Sequence, residues 1–159
     1  LDQWKHVPKD QWGKVTELNE IIIGGIKYTV DNKSVYLDHV QYERDVAEAL
    51  AKTGRRVEMM PRIVNPEKIR TPDYRIDGVP YELKQPENSY AGIYHRIDKA
   101  QGQSDRFIID LSLVSQKNGY KEQKLMEQIH RVFKSDYTQF VKEIVVILDG
   151  KVIKAFERQ

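Results

Sequence analysis

Two acidic residues and a lysine fall where an ordinary β-hairpin would avoid them. Asp77-Gly78 separates two runs of strand-forming residues, and this dipeptide supplies the positive φ of a two-residue turn. Such a turn pairs Ile76 with Val79, Arg75 with Pro80 and Tyr74 with Tyr81, and sets Asp73 opposite Glu82. In that register Asp73 and Glu82 form a non-hydrogen-bonded pair, the kind whose side chains approach most closely. Pro80 also falls in such a pair, so its missing N–H costs the ladder nothing. Like charges directly opposed destabilise a sheet, and a divalent cation is the natural compensation. Lys84 shares the face of Glu82 two residues on and reaches the same space. The bland alternative is the solvent face of an amphipathic hairpin.

Two helical stretches add to this set. Over residues 39–53 an apolar stripe of Val40, Ala47 and Leu50, flanked by Val46, is interrupted by Glu43. A carboxylate on a core-facing stripe is costly unless it is paired or binds metal. Further on, Arg96, Lys99, Ala100 and Gln103 have the spacing of one helix side, a basic and amide face suited to phosphate groups. An exposed polar helix face is the plainer reading of that spacing. His39 and His95 carry no argument of their own.

The elements that must position these residues follow from pattern. Glu20–Ile23, Gly24-Gly25 and residues 26–30 read as a hairpin. A helix over 39–53 starts from Asp38 as N-cap and stops at Gly54. Residues 56–62 form a strand ended by Pro61, and 73–76 with 79–84 a second hairpin. A helix over 91–103, a buried strand over 107–111 and an amphipathic helix over 120–134 come next. A third hairpin turns on Asp149-Gly150 between 144–148 and 152–156. The first 17 residues stay unassigned or weakly helical. The order predicts an α/β fold, a central mixed β-sheet flanked by helices.

Composition sets limits. The 159 residues suit one domain with a real core, and 40% hydrophobic with 31% charged residues is an ordinary globular mixture. No apolar run approaches the roughly 20 residues of a membrane span, and no signal-type segment begins the sequence. The first residue is Leu, so the chain reads as a module of a longer protein. The absence of cysteine excludes disulfides and thiolate zinc sites. Net charge is only +2, a weak basic footprint, but residues 52–106 hold 11 Lys and Arg against 8 acids.

Thr71-Pro72-Asp73-Tyr74 followed by Glu82-Leu83-Lys84 resembles the signature of the PD-(D/E)xK nuclease superfamily. The element order from His39 to Leu111 matches that superfamily's restriction-endonuclease-like αβββαβ core, here with extra hairpins. The resemblance implies a metal-dependent nuclease. Glu43, Asp73, Glu82 and Lys84 would be catalytic, and Asp73, Glu82 and Glu43 would hold the metal. The cofactor it implies is Mg²⁺, with Mn²⁺ or Zn²⁺ as alternatives. Arg96, Lys99 and Gln103 would contact substrate. Tyr74, Tyr81 and Tyr94 are candidates to stack on bases, though aromatics on strands are more often core. The layout of Tyr42-Glu43, Val46-Ala47 and these motifs is also similar to toxin domains at the C-termini of bacterial contact-dependent growth inhibition proteins and related polymorphic toxins. The resemblance covers about residues 36–111 of what reads as one nuclease domain over 1–159. It implies an RNA substrate, tRNA foremost, a cognate immunity protein, and secretion with delivery to a target-cell cytoplasm. The competing readings are a DNA endonuclease of the same superfamily, a non-catalytic nucleic-acid-binding or phage-associated module, and a barnase-like metal-independent ribonuclease, which would not need Asp73 opposite Glu82.

Overall fold

A computed structural model describes residues 4–159. It is a mixed α/β structure with a central seven-stranded sheet and four helices. The chain divides into two compact units, Val7–Pro80 and Tyr81–Gln159, the latter joined by the first residues up to His6. Of the unassigned N-terminal stretch, Leu1 to Gln3 lie outside the described residues.

In the first unit, strands β1 (Val15–Glu17), β5 (Val57–Met59) and β7 (Tyr74–Ile76) are neighbours in the central sheet. β1 runs parallel to β5, and β5 antiparallel to β7. Helix α1 (Gln41–Ala51) packs against β1 and β5. The expected first hairpin is present as β2 (Glu20–Ile23) and β3 (Ile26–Thr29), with Ile23 paired to Ile26 across Gly24 and Gly25, both at positive φ. β4 (Val35–Tyr36) and β6 (Arg62–Ile63) make a further small pair. Ile21, Val35, Met60 and Ile63 close a modest apolar cluster here.

α1 is shorter than the apolar pattern predicts. Val40, not Asp38, is its N-cap residue, and it is 56% exposed. Val40 therefore precedes the helix, and the stripe on which Glu43 was expected to sit is not a helix face. Val46, Ala47, Ala49, Leu50 and Ala51 form the buried side, while Glu43 is half-buried in the first turn. There its carboxylate reaches back to the Val40 N–H at 3.5 Å, as N3 glutamates do.

In the second unit, β8 (Val79–Lys84), β9 (Arg106–Asp110) and β10 (Glu143–Leu148) are mutually parallel, and β11 (Lys151–Glu157) returns antiparallel to β10. Asp149 and Gly150 make that turn at positive φ. Helices α2 (Ala91–Lys99) and α4 (Glu122–Lys134) pack together over one core. α2 contributes Ile93, Tyr94 and Ile97, and α4 contributes Leu125, Ile129 and Val132. Phe107, Ile109, Ile144 and Val146 face them from the sheet. The intervening Ile108, Val145 and Ile147 are buried too, which explains why β9 and β10 read as continuous apolar runs. The short helix α3 (Ser112–Asn118) was not foreseen. It is too short to declare a period, and it starts where the Asp110 carboxylate caps Ser112.

α2 also stops early. It ends at Lys99 rather than Gln103, because Gly102 adopts φ 90° and the chain turns with Gln103 N–H donating to the Ala100 carbonyl. Ala100 is buried. The expected continuous face of Arg96, Lys99, Ala100 and Gln103 is thus broken, with Gln103 off the helix. No described helix is long and apolar enough to cross a membrane.

Candidate functional site

The sequence-derived residues fall in both units, and each unit organises its own share. In Tyr81–Gln159, β8 presents Glu82 and Lys84, and β8 pairs with β9 in the register Lys84 to Ile109. The early end of α2 returns Gln103 to this strand. Lys84 Nζ donates to Gln103 Oε1 at 2.9 Å, although 19 residues separate them. Both side chains are half-buried. An ammonium has three donors, and one of them is committed to this amide.

Beyond Lys84, at the same end of the parallel strands, Gln85 Nε2 donates to Asp110 Oδ2 at 3.2 Å. Asp110 is 3% exposed, and its other oxygen accepts from the Ser112 N–H and hydroxyl at 3.0 and 2.6 Å. An apolar run that ends in an acid two residues before a serine was the available signal for this capped aspartate. Arg96 is half-buried and Lys99 exposed, both in the last turn of α2.

In Val7–Pro80 the turn that fixes the hairpin register is present. Asp77 and Gly78 adopt φ 50° and 83°, the signs of the predicted two-residue turn. Asp73 immediately precedes β7, and its carbonyl accepts from the Met60 N–H at 3.4 Å. The next residue, Tyr74, donates its hydroxyl to the backbone carbonyl of Glu43 at 2.7 Å. One buried tyrosine thereby ties the first turn of α1 to the strand that Asp73 leads. Among the described residues, no group of three or more His, Cys, Asp or Glu is gathered in a way that could hold a metal ion.

Three tyrosines considered as base stackers belong to the core. Tyr74, Tyr81 and Tyr94 are 1%, 3% and 5% exposed. Arg131 lies 3.8 Å over the Tyr94 ring, and the Tyr94 hydroxyl contacts Ser135 Oγ at 2.7 Å. Tyr81 meets Trp4 edge-on and donates to the buried Glu143 carboxylate, which also accepts from Trp4 Nε1 at 3.1 Å and Arg106 at 3.0 Å. Burial works against the Arg106 charge, but its hydrogen bond to the Glu143 carboxylate and that group's field hold the guanidinium above its ordinary range. Sequence reading passed over Glu143, an acid at the head of an apolar strand. His39 is likewise enclosed, with Nδ1 3.1 Å from Glu17 and Nε2 2.8 Å from the Met60 carbonyl.

Fold and side chains together define an α/β domain that carries a lysine–glutamine pair at the C-terminal end of the inner strand β8. The family model of the contact-dependent growth inhibition CdiA C-terminal domain matches residues 70–152, just over half of the chain. The chain belongs to that family of toxin domains. Neither a curated protein nor a solved structure matches it.

Proposed function

We propose that this toxin domain is a metal-dependent nuclease that hydrolyses phosphodiester bonds, with RNA, and tRNA foremost, as substrate. Glu43, Asp73, Glu82 and Lys84 are its catalytic residues in this reading. The observation that carries it is the Lys84–Gln103 pair at 2.9 Å. Residues singled out separately for catalysis and substrate contact are held together in a half-buried setting. The positive-φ turn at Asp77 and Gly78 supports the register that opposes Asp73 to Glu82.

The donors fit a hard cation by their chemistry. Asp73 and Glu82 offer only carboxylate oxygens, and the chain has no thiolate. Mg²⁺ is commonly held by one or two carboxylates, with water and substrate phosphate completing its shell, so a three-acid cage is not required. When bound, such an ion lowers the pKa of a coordinated water and offsets phosphate charge. Lys84 directs its remaining N–H donors at a phosphate oxygen and stabilises the negative charge that grows there. Gln103 fixes the ammonium's position. Glu43, held in the first turn of α1, orients the attacking water, and Arg96 and Lys99 bind the substrate backbone. In this reading the domain is delivered into a target cell, and a cognate immunity protein blocks it in the producer.

Purified protein incubated with total RNA and with plasmid DNA, with and without Mg²⁺, tests the proposal on gels. RNA cleavage that EDTA abolishes is the expected result. Cleavage of DNA alone would move the substrate to the DNA-endonuclease reading. Cleavage that persists in EDTA would sink the metal mechanism.

A further inference from the structure

The unit Val7–Pro80 contains a second feature suited to recognition, independent of the proposed nuclease centre. A cavity of about 490 Å³ lies between β1 and α1, with Trp12, Val15, Glu17, Arg44, Glu48 and Met59 among its lining residues. β1 ends the strand order of the central sheet. Its hydrogen bonds define which of its backbone groups are used. Val57 N–H donates to the Lys14 carbonyl and Leu18 N–H to the Met59 carbonyl, both at 2.9 Å. In a parallel pair alternate residues face the neighbour, so Lys14, Thr16 and Leu18 turn toward β5. Val15 and Glu17 therefore turn their N–H and C=O groups to the open side, and both line the cavity. The other terminal strand, β11, is blunted by Lys151, Lys154 and a register shift against β10. β1 has neither a bulge nor a lysine within Val15–Glu17.

The side chains indicate what would lie along this edge. Glu17 Oε1 accepts from both His39 Nδ1 and Arg44 Nε, at 3.1 and 3.2 Å, which leaves Oε2 for another donor. Glu48 is exposed, and its carboxylate makes no hydrogen bond or ion pair with any described residue. Among the residues lining the cavity two carboxylates stand against one guanidinium, which favours a cation between Glu17 and Glu48 over a phosphate. Met59 and Ala51 provide a buried apolar floor for a methylene stem. The Trp12 ring is already taken by the ammonium groups of Lys52 and Lys9, 5.3 and 5.9 Å from its centre, so an incoming cation is held by the carboxylates instead.

We propose that the open edge of β1 and its cavity bind an extended segment of a partner protein, which adds a strand to Val15–Glu17 and places a lysine or arginine side chain between Glu17 and Glu48. Backbone pairing supplies affinity and the cavity supplies the choice of side chain.

The probe is a capped pentapeptide, Thr-Val-Lys-Val-Thr, titrated into the intact chain while amide NMR signals are followed. The Val15 and Glu17 amides and the Trp12 indole should shift saturably. A peptide with glutamate in place of lysine should bind about tenfold more weakly, as expected for a lost charged hydrogen bond. A peptide N-methylated on alternate residues keeps its side chains, loses its backbone pairing and should weaken similarly. Val15→Pro removes an outward N–H that β5 does not use, and should weaken binding where Val15→Ala does not. Glu48→Lys should reverse the preference between lysine and glutamate peptides. Absence of saturation, or equal binding of the N-methylated and parent peptides, overturns strand addition. Equal binding of the lysine and glutamate peptides overturns the charge assignment. A single-stranded RNA that shifts these amides where the peptide does not overturns the protein partner.

Discussion

The two units bury apolar surface in different ways. In Tyr81–Gln159, β9 and β10 are covered on both faces, and Ile108, Ile109, Ile144 and Val145 have no exposure at all. In Val7–Pro80 no strand exceeds four residues apart from β8, which only begins there, and the β2–β3 hairpin leaves Ile22 67% and Ile26 58% exposed. The first pattern makes a stiff platform, because a strand packed on both sides has no room to shift. The second relies on single ties such as Tyr74 to Glu43. Lys84 and Gln103 belong to the platform, and Glu43 and Asp73 to the unit of short elements. In the proposed reaction a charged group that stabilises the transition state gains from being fixed, which would suit Lys84. An acid at a helix start beside loops is easier to re-aim.

Substitutions test that contrast. The largest expected effect is on chemistry. Lys84→Ala should lower the cleavage rate about 10³-fold, the scale of losing a preorganised charge-stabilising group. Its circular dichroism and melting temperature should stay near wild type, and full activity would remove Lys84 from the site. Asp73→Ala and Glu82→Ala should behave alike. The next effect compares the cores. Ile109→Ala, in the platform, should destabilise by about 4 kcal/mol and Ile63→Ala, in the smaller cluster, by about 2 kcal/mol, because the looser site collapses better around the void. Urea titration reads both, and equal losses would erase the contrast. Single ties follow. Tyr74→Phe and Tyr81→Phe should each cost about 1–2 kcal/mol, with the hydroxyl's acceptor left partly unsatisfied. Tyr74→Phe should also reduce activity, because it frees the turn that carries Glu43, whereas Tyr81→Phe should leave activity intact. Gln103→Ala should lower kcat about tenfold at little cost in stability, as one hydrogen bond to an ammonium is lost.

The smallest effect concerns Asp31. Its carboxylate accepts from the backbone N–H groups of Val35, Lys33 and Ser34, which lower its pKa below the ordinary 3.8. A depressed folded-state pKa contributes stability that is fully present above 3.8 and is lost as pH falls through the folded value. Wild type and Asp31→Ala should therefore differ slightly at neutral pH and converge in strong acid. A constant difference down to the lowest pH would show that the loop gains nothing from the charge.

Much of the fold was legible because its signals are local. Gly24-Gly25, Asp77-Gly78 and Asp149-Gly150 announce their turns by the positive φ they need, and all three adopt it. The apolar stripe of α4 needs only its own residues to be read. β1 was missed because three half-buried residues carry no period. α1 was drawn too long because Val40 counts as apolar wherever it sits, and only packing decides whether it is used.

Among the candidate site residues, sequence chose Asp73, Glu82 and Lys84 through motif and turn spacing, which are properties of neighbours in the chain. It could not give the Lys84–Gln103 contact, since that depends on where α2 stops and how Gly102 turns the chain back. It also assigned Glu43 to a stripe, when the observed start of α1 makes it a first-turn residue bonded toward Val40. The sequence by itself determined the types of group present, the turns and the element order, because these are set over a few residues. The tertiary structure alone decided which side chains are buried, which donors meet which acceptors and where β1 leaves an open edge. Those outcomes depend on competition among distant segments for the same buried space and the same hydrogen-bond partners.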